Sequence, residues 1–317
     1  MGQTLSEPVT TKDTSTCSNH LYKVASSCMQ GWRINMEDAH THLLSLPGDK
    51  EASFFGVYDG HGGARVAEYS ANHLHRKILS QPEYSQGNIE EAIRKGFLAL
   101  DQEMSQDETM KEELAGTTCI CTLIKDNKLY CGNAGDSRVI ASVRGKVDFS
   151  SMDHKPCNEL ETKRIIAAGG WVEFNRVNGN LALSRALGDF VFKKNSEKSA
   201  EEQIVTANPD VTVYEITQDL EFTVLACDGI WDVLTNQEVV DFVRSRIAQR
   251  VEPDVICEDL LTRCLAPAPE VGGLGCDNMT AILVCFLHGG TYEDLVLKCS
   301  RPRLPDVGEQ NSDSSTL

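Results

Sequence analysis

Apolar and polar positions along this chain follow two periods. Short runs rich in β-branched and aromatic side chains lie at 22–27, 53–58, 117–124, 128–133, 138–143, 211–216, 222–227 and 280–287, and each reads as a strand. Residues 117–143 form a meander, with turns at Lys125-Asp126-Asn127-Lys128 and Gly135-Asp136-Ser137. Helical spacing places Ile89, Ala92, Ile93, Gly96, Phe97, Leu100 and Met104 on one face. A capping box, Thr235 with Glu238, opens a second helix whose Val239, Val240, Val243 and Ile247 point inward. Residues 64–79 and 254–265 give two more, and 159–168 a shorter one stopped by Gly169-Gly170. Strands in runs, with helices clustered rather than alternating, argue against a doubly wound parallel sheet. An α+β fold of two antiparallel-rich sheets with helices outside is expected.

Polar, aperiodic ends bracket this pattern. Residues 1–19 read as a flexible arm, 20–288 as one continuous domain, and 289–317 as a short, mostly disordered tail. Gly2 and Ser6 fit an N-myristoylation pattern, and a chance match in so loose a pattern stays open beside it. A single acyl chain, with Lys12 the arm's one basic residue, would hold a membrane only weakly and reversibly.

Charge narrows the partners. A formal net charge of -17 would repel nucleic acid phosphates, so polynucleotide binding is not expected. No apolar stretch is long enough to cross a bilayer. The twelve cysteines include no Cys-x-x-Cys pair, and Cys119, Cys121, Cys131, Cys227 and Cys285 lie within apolar runs. They read as reduced core thiols of a cytoplasmic protein, with nuclear or membrane association also open. A monomer is expected.

Candidate chemistry sits where strands stop. The run 53–58 ends on Asp59-Gly60-His61-Gly62-Gly63, the run 222–227 on Asp228-Gly229, and Asp277 directly precedes the run 280–287. A buried, unpaired carboxylate after five or more apolar residues is costly, which favours a cation at Asp59 and Asp228. Glu37 and Asp38 add a further acidic pair. Hard divalent cations such as Mg²⁺ and Mn²⁺ take oxygen ligands and use few carboxylates each. One bridging aspartate could hold two of them about 3.5–4 Å apart, with a bridging water as nucleophile, and the Gly60 carbonyl could add a ligand. Arg33 supplies a planar fork suited to phosphate, and His61 could protonate a leaving alkoxide. Together these spell phosphomonoester hydrolysis.

The ordered blocks then carry a resemblance. Arg33…Met36-Glu37-Asp38, Val57-Tyr58-Asp59-Gly60-His61-Gly62-Gly63, Gly116-Thr117-Thr118 and Gly132-Asn133-Ala134-Gly135-Asp136-Ser137-Arg138 come first. Asp153-His154-Lys155-Pro156, Ala168-Gly169-Gly170 and the segment from Arg176 to Asp189 follow. Ala226-Cys227-Asp228-Gly229-Ile230-Trp231-Asp232 and Gly275-Cys276-Asp277-Asn278-Met279-Thr280 complete the set. The chain resembles the metal-dependent serine/threonine protein phosphatases of the 2C type over about residues 20–288. The resemblance implies a two-sheet β-sandwich flanked by helices, in α-β-β-α layers, acting on phosphoserine and phosphothreonine in proteins. It implies two Mg²⁺ or Mn²⁺ ions bridged by Asp59, with Glu37 and the Gly60 carbonyl on one and Asp228 and Asp277 on the other. Asp38 would orient a metal-bound water, Arg33 would hold phosphate, and His61 would be the general acid. Asp136 and Asp232 match residues of a weaker third metal site, and Arg176 lies in a flap that helps select substrates. An inactive phosphoprotein-binding scaffold and a small-molecule phosphatase are the rival readings. The Gly2 pattern is shared with the alpha and beta members. Only about 29 residues follow residue 288 here, so regulation through the C-terminal helical extension of those members is not expected.

Overall fold

The strand-period segments assemble into two antiparallel sheets in a computed structural model that describes residues 4–111, 113–269 and 273–303. One sheet has six strands in the order Thr4–Ser18, Tyr22–Arg33, Met279–Phe286, Leu220–Ala226, Arg138–Val143, Lys146–Ser150. The other has five, in the order Asp210–Glu215, Lys128–Ala134, Cys119–Lys125, Ser53–Tyr58, Ala39–Leu43. Val24, Phe55, Val57, Ile120, Leu129, Val139, Leu225 and Ile282 fill the space between them. Helices Arg65–Leu79 and Ile89–Gln106 cover the outer face of the five-stranded sheet through Leu74, Ile78, Ile93 and Phe97. Helices Asn236–Ala248 and Pro253–Cys264 cover the six-stranded sheet through Val239, Val243, Ile256 and Leu260. The layers are therefore α-β-β-α, as expected.

Coverage on both faces explains the continuous apolar runs. Ser53–Tyr58, Leu220–Ala226 and Met279–Phe286 are buried at every position. Alternation is lost because neither face meets water. All twelve cysteines are free, and most are buried.

Both ends of the chain depart from expectation. Thr4–Ser18, read as part of a flexible arm, is an edge strand paired with Tyr22–Arg33 from Ser18↔Lys23 to Thr4↔Arg33. Backbone pairing rather than apolar burial holds it, so its side chains give no hydrophobic period. The register shift between Thr4 and Val9 spans Pro8, which has no amide hydrogen to donate, and a second follows between Val9 and Lys12. The tail is also more ordered than its composition suggests. Tyr292–Cys299 is a helix capped by the Thr291 side chain, and its Leu295, Val296 and Cys299 join the core over the six-stranded sheet. Gly2 and residues 304–317 lie outside the described residues.

A buried ion network ties segment 159–210 to the sandwich. Glu161, 3% exposed, accepts from Arg164 Nη1 at 2.6 Å, Arg185 Nη2 at 2.7 Å and Ser184 Oγ at 2.7 Å. Arg185 continues to Asp210 at 2.8 Å, and Asp210 takes His154 Nε2 at 3.0 Å. Burial alone would raise the Glu161 carboxyl, but the Arg185 and Arg164 guanidiniums pull it down to about 2 from 4.5. A carboxyl lowered on folding stabilises the protein above its unfolded value and loses that contribution as pH falls through the folded value. By linkage this amounts to about 3 kcal/mol. Glu161→Gln should therefore cost about 3 kcal/mol in urea denaturation at neutral pH. The gap to wild type should close as pH falls from about 4.5 toward about 2. A deficit independent of pH would contradict this account.

Candidate active site

Four crossing points at one end of the sandwich deliver the site. Strand Ser53–Tyr58 ends at Asp59, and Leu220–Ala226 leads through Cys227 into a short helix starting at Asp228. Asp277 and Asn278 precede Met279–Phe286, and Glu37-Asp38 link Tyr22–Arg33 to Ala39–Leu43. Gly62 and Gly63 have φ of 72° and 136°, a turn that disfavours side chains. Gly60 is required for another reason: a Cβ there would stand 2.2 Å from the Glu37 carbonyl oxygen. The loop carrying Glu37 and the strand end carrying Asp59 can touch only through a glycine.

A cleft of about 680 Å³ opens there, lined by Arg33, Glu37, Asp59, Gly60, His61, Asp136, Arg176, Asp228 and Asp277 among others. The structure thus brings nine of the expected residues to one wall-to-wall site. Asp38 lies behind the lining. Its Oδ2 accepts from Thr280 Oγ1 at 2.7 Å, while its Oδ1 is buried with no hydrogen-bond partner among the described residues. Asp232 borders a neighbouring cleft instead, beside Arg138 and Trp231.

Electrostatics mark the cluster as a set of mutually repelling acids. Burial raises Asp59 well above the ordinary carboxylate range, and the charges of Asp228, Asp38, Asp277 and Asp136 raise it further. Asp228 is raised in the same way by burial, Asp136, Asp277 and Asp232. Burial lifts Asp38 to about 7 against the opposing Thr280 hydrogen bond. Asp232 is raised by burial despite Lys155. Carboxylates pressed together this way need either protons or cations. The Cys227 sulfur stands behind the acids, within 4.8 Å of Asp38 and Asp59. The cleft lining itself offers carboxylate oxygens that repel one another, which fits hard divalent cations.

The cationic and proton-carrying groups are held individually. Arg33 Nη2 meets Asp277 Oδ2 at 2.5 Å. Lys155 is ion-paired to Asp136, a partner that sequence reasoning did not supply. Arg176 donates to the Asn180 carbonyl at 2.6 Å. His61 Nε2 lies 2.7 Å from Asp189 Oδ2. Burial would lower the His61 imidazole, but the Asp189 hydrogen bond and charge outweigh it and raise it. Asn278 was missed as well. Its Oδ1 accepts from the Glu37 amide at 2.9 Å, and its Nδ2 donates to the carbonyls of Gln30 and Asn35. That side chain fixes the loop on which Arg33 and Glu37 sit. The signal available was its place beside Asp277.

Comparison with known proteins decides the family. The model for protein phosphatase 2C matches residues 22–270. The chain belongs to the protein phosphatase 2C family. It is 62% identical over 318 residues to "Probable protein phosphatase 2C T23F11.1" of Caenorhabditis elegans, covering 100% of this chain and 89% of that one. Identity to "Protein phosphatase 2C homolog 2" of Schizosaccharomyces pombe is 52% over 299 residues, covering 93% of this chain and 81% of that protein. Among solved structures, serine-threonine phosphatase 2C from Toxoplasma gondii shares the fold with a TM-score of 0.72 at 22% identity, over 90% of this chain and 100% of that one. The chain is accordingly a protein serine/threonine phosphatase, a hydrolase acting on phosphoproteins. No helix among the described residues is long and apolar enough to cross a membrane.

The repulsion within the cluster has a measurable consequence. A carboxyl raised on folding costs the metal-free fold stability above the ordinary carboxylate range. Asp59→Asn should therefore melt higher than wild type in chelator. Mn²⁺ should raise the wild-type melting temperature by on the order of 5 °C and the variant's by much less. Equal Mn²⁺ shifts for the two proteins would contradict the role of Asp59.

Proposed function

We propose that this phosphatase hydrolyses phosphoserine and phosphothreonine in proteins with divalent cations, Mg²⁺ or Mn²⁺, held by the carboxylate cluster. One observation carries the reading: Asp59, Asp228 and Asp277 converge on one cleft, in front of an Asp38 oxygen that no described residue satisfies. Asp59 would be the ligand common to the cations, with Glu37, the Gly60 carbonyl, Asp228 and Asp277 completing their hold. Asp136 and Asp232 would hold a weaker third ion, for which Lys155 would have to release Asp136. When bound, the cations supply Lewis acidity toward water and toward a phosphoryl group.

The chain's own residues carry the remaining tasks. Asp38, fixed through Oδ2 by Thr280, offers Oδ1 to orient the attacking water. Arg33 at the cleft wall binds phosphoryl oxygens and stabilises their developing charge. His61 gives its proton to the departing serine or threonine alkoxide. Arg176 and residues 180–183 line the same cleft and would meet the protein chain on either side of the phosphoresidue.

Hydrolysis of a phosphothreonine peptide should require Mn²⁺ or Mg²⁺ and stop with chelator. Metal-independent turnover, or none at all, would refute the proposal. Asp59→Ala should lose essentially all turnover, and near-wild-type rates would remove it as the bridge. His61→Gln should slow poor leaving groups on the order of 100-fold and leave good ones nearly unchanged. Equal losses would exclude His61 as the acid.

A further inference from the structure

Three two-residue strands make a small sheet at the mouth of the cleft. Gly60–His61 pairs antiparallel with Gly116–Thr117, which pairs in turn with Leu187–Gly188. The next residue, Asp189, is thereby set against His61 from 128 positions away. Its backbone is left-handed, with φ 51° and ψ 39°, a conformation that few residues other than glycine, asparagine and aspartate adopt readily. Its amide donates to the Ala115 carbonyl at 3.0 Å. The preceding Gly188 amide donates to Asp101 Oδ1 at 2.8 Å, and Asp101 is ion-paired to Lys193 at 2.8 Å. Asp189 is only 3% exposed. Between the two side chains runs Gly116, where a Cβ would stand 2.3 Å from Asp189 Oδ2 and 2.6 Å from His61 Nε2. The gap is open only because residue 116 has no side chain.

We infer that Asp189 is a positioning residue for His61, its carboxylate accepting the Nε2–H and leaving Nδ1 as the ring nitrogen that serves the cleft. This rests on the reading of His61 as proton donor. A carboxylate is an acceptor only, so the shared proton sits on the imidazole Nε2. No described residue takes Nδ1, and His61 itself lines the cleft. A ring held at one nitrogen keeps the other in a fixed direction, which proton transfer to an alkoxide requires. The left-handed backbone alone would be served by glycine or asparagine; the buried carboxylate adds an acceptor set on His61 Nε2.

Two replacements suit the left-handed backbone: Asp189→Asn keeps shape without charge, and Asp189→Gly removes the side chain. With Mn²⁺, each should lower kcat on a phosphothreonine peptide about 10- to 100-fold at nearly constant KM, while p-nitrophenyl phosphate hydrolysis changes less than about 3-fold. Combined with His61→Gln, neither should add further loss, because the two residues act as one unit. Losses equal on both substrates, or additive to those of His61→Gln, would overturn the inference. A second readout is independent of turnover. Proton NMR of the full chain should show an exchange-protected imidazole proton on Nε2 of His61, far downfield of the amides, that vanishes in Asp189→Gly. Its absence from wild type, or its survival in Asp189→Gly, would overturn the inference. If wild type shows no metal-dependent turnover, the hydrolytic reading fails while this spectrum still decides the pairing.

Discussion

Everything at the functional end of this fold answers to one constraint, the crowding of carboxylates that repel each other. Asp59, Asp228 and Asp38 are all raised by burial, and each feels at least one other acid of the cluster. Such a group is stable only with protons or cations among its members. The backbone has been arranged to keep them close. Glycine at 60 lets the Glu37 loop touch the Asp59 strand end, and Asn278 clamps that loop from the neighbouring strand. The sandwich supplies rigidity because its inner strands are buried at every position.

Around that cluster, cationic and proton-carrying groups are each tied to a particular acid. Arg33 pairs with Asp277, Lys155 with Asp136, and His61 with Asp189. The pairing separates functions within a few ångströms. Acids that face each other concentrate negative charge, whereas the acid facing His61 stands on a different segment and orients a ring. The Glu161 network does related work farther out, fastening the segment that brings Arg176 and residues 180–183 to the cleft.

Sequence alone made the central strands and the strand-end acids legible for one shared reason. Inner strands covered on both faces read as unbroken apolar runs, so a carboxylate ending such a run stands out, as Asp59 and Asp228 do. Asp136 and Asp232 carried no such mark and were identified only through family resemblance. Asp189 was within a quoted motif yet received no role. Its partner is brought to it by strands two residues long, too short to show any period. Thr4–Ser18 was hidden differently: an edge strand held by backbone pairing needs no apolar side chains. Asn278 acts through three backbone groups, and backbone partners leave no trace in residue type.

The claim that these carboxylates form one shared cation site is tested most directly by anomalous diffraction from crystals of the full chain soaked in Mn²⁺. The account predicts two strong anomalous peaks in the cleft with Asp59 as their common ligand, Glu37 and the Gly60 carbonyl toward one, Asp228 and Asp277 toward the other. Peaks that bypass Asp59, or a cleft without anomalous density at saturating Mn²⁺, would contradict it.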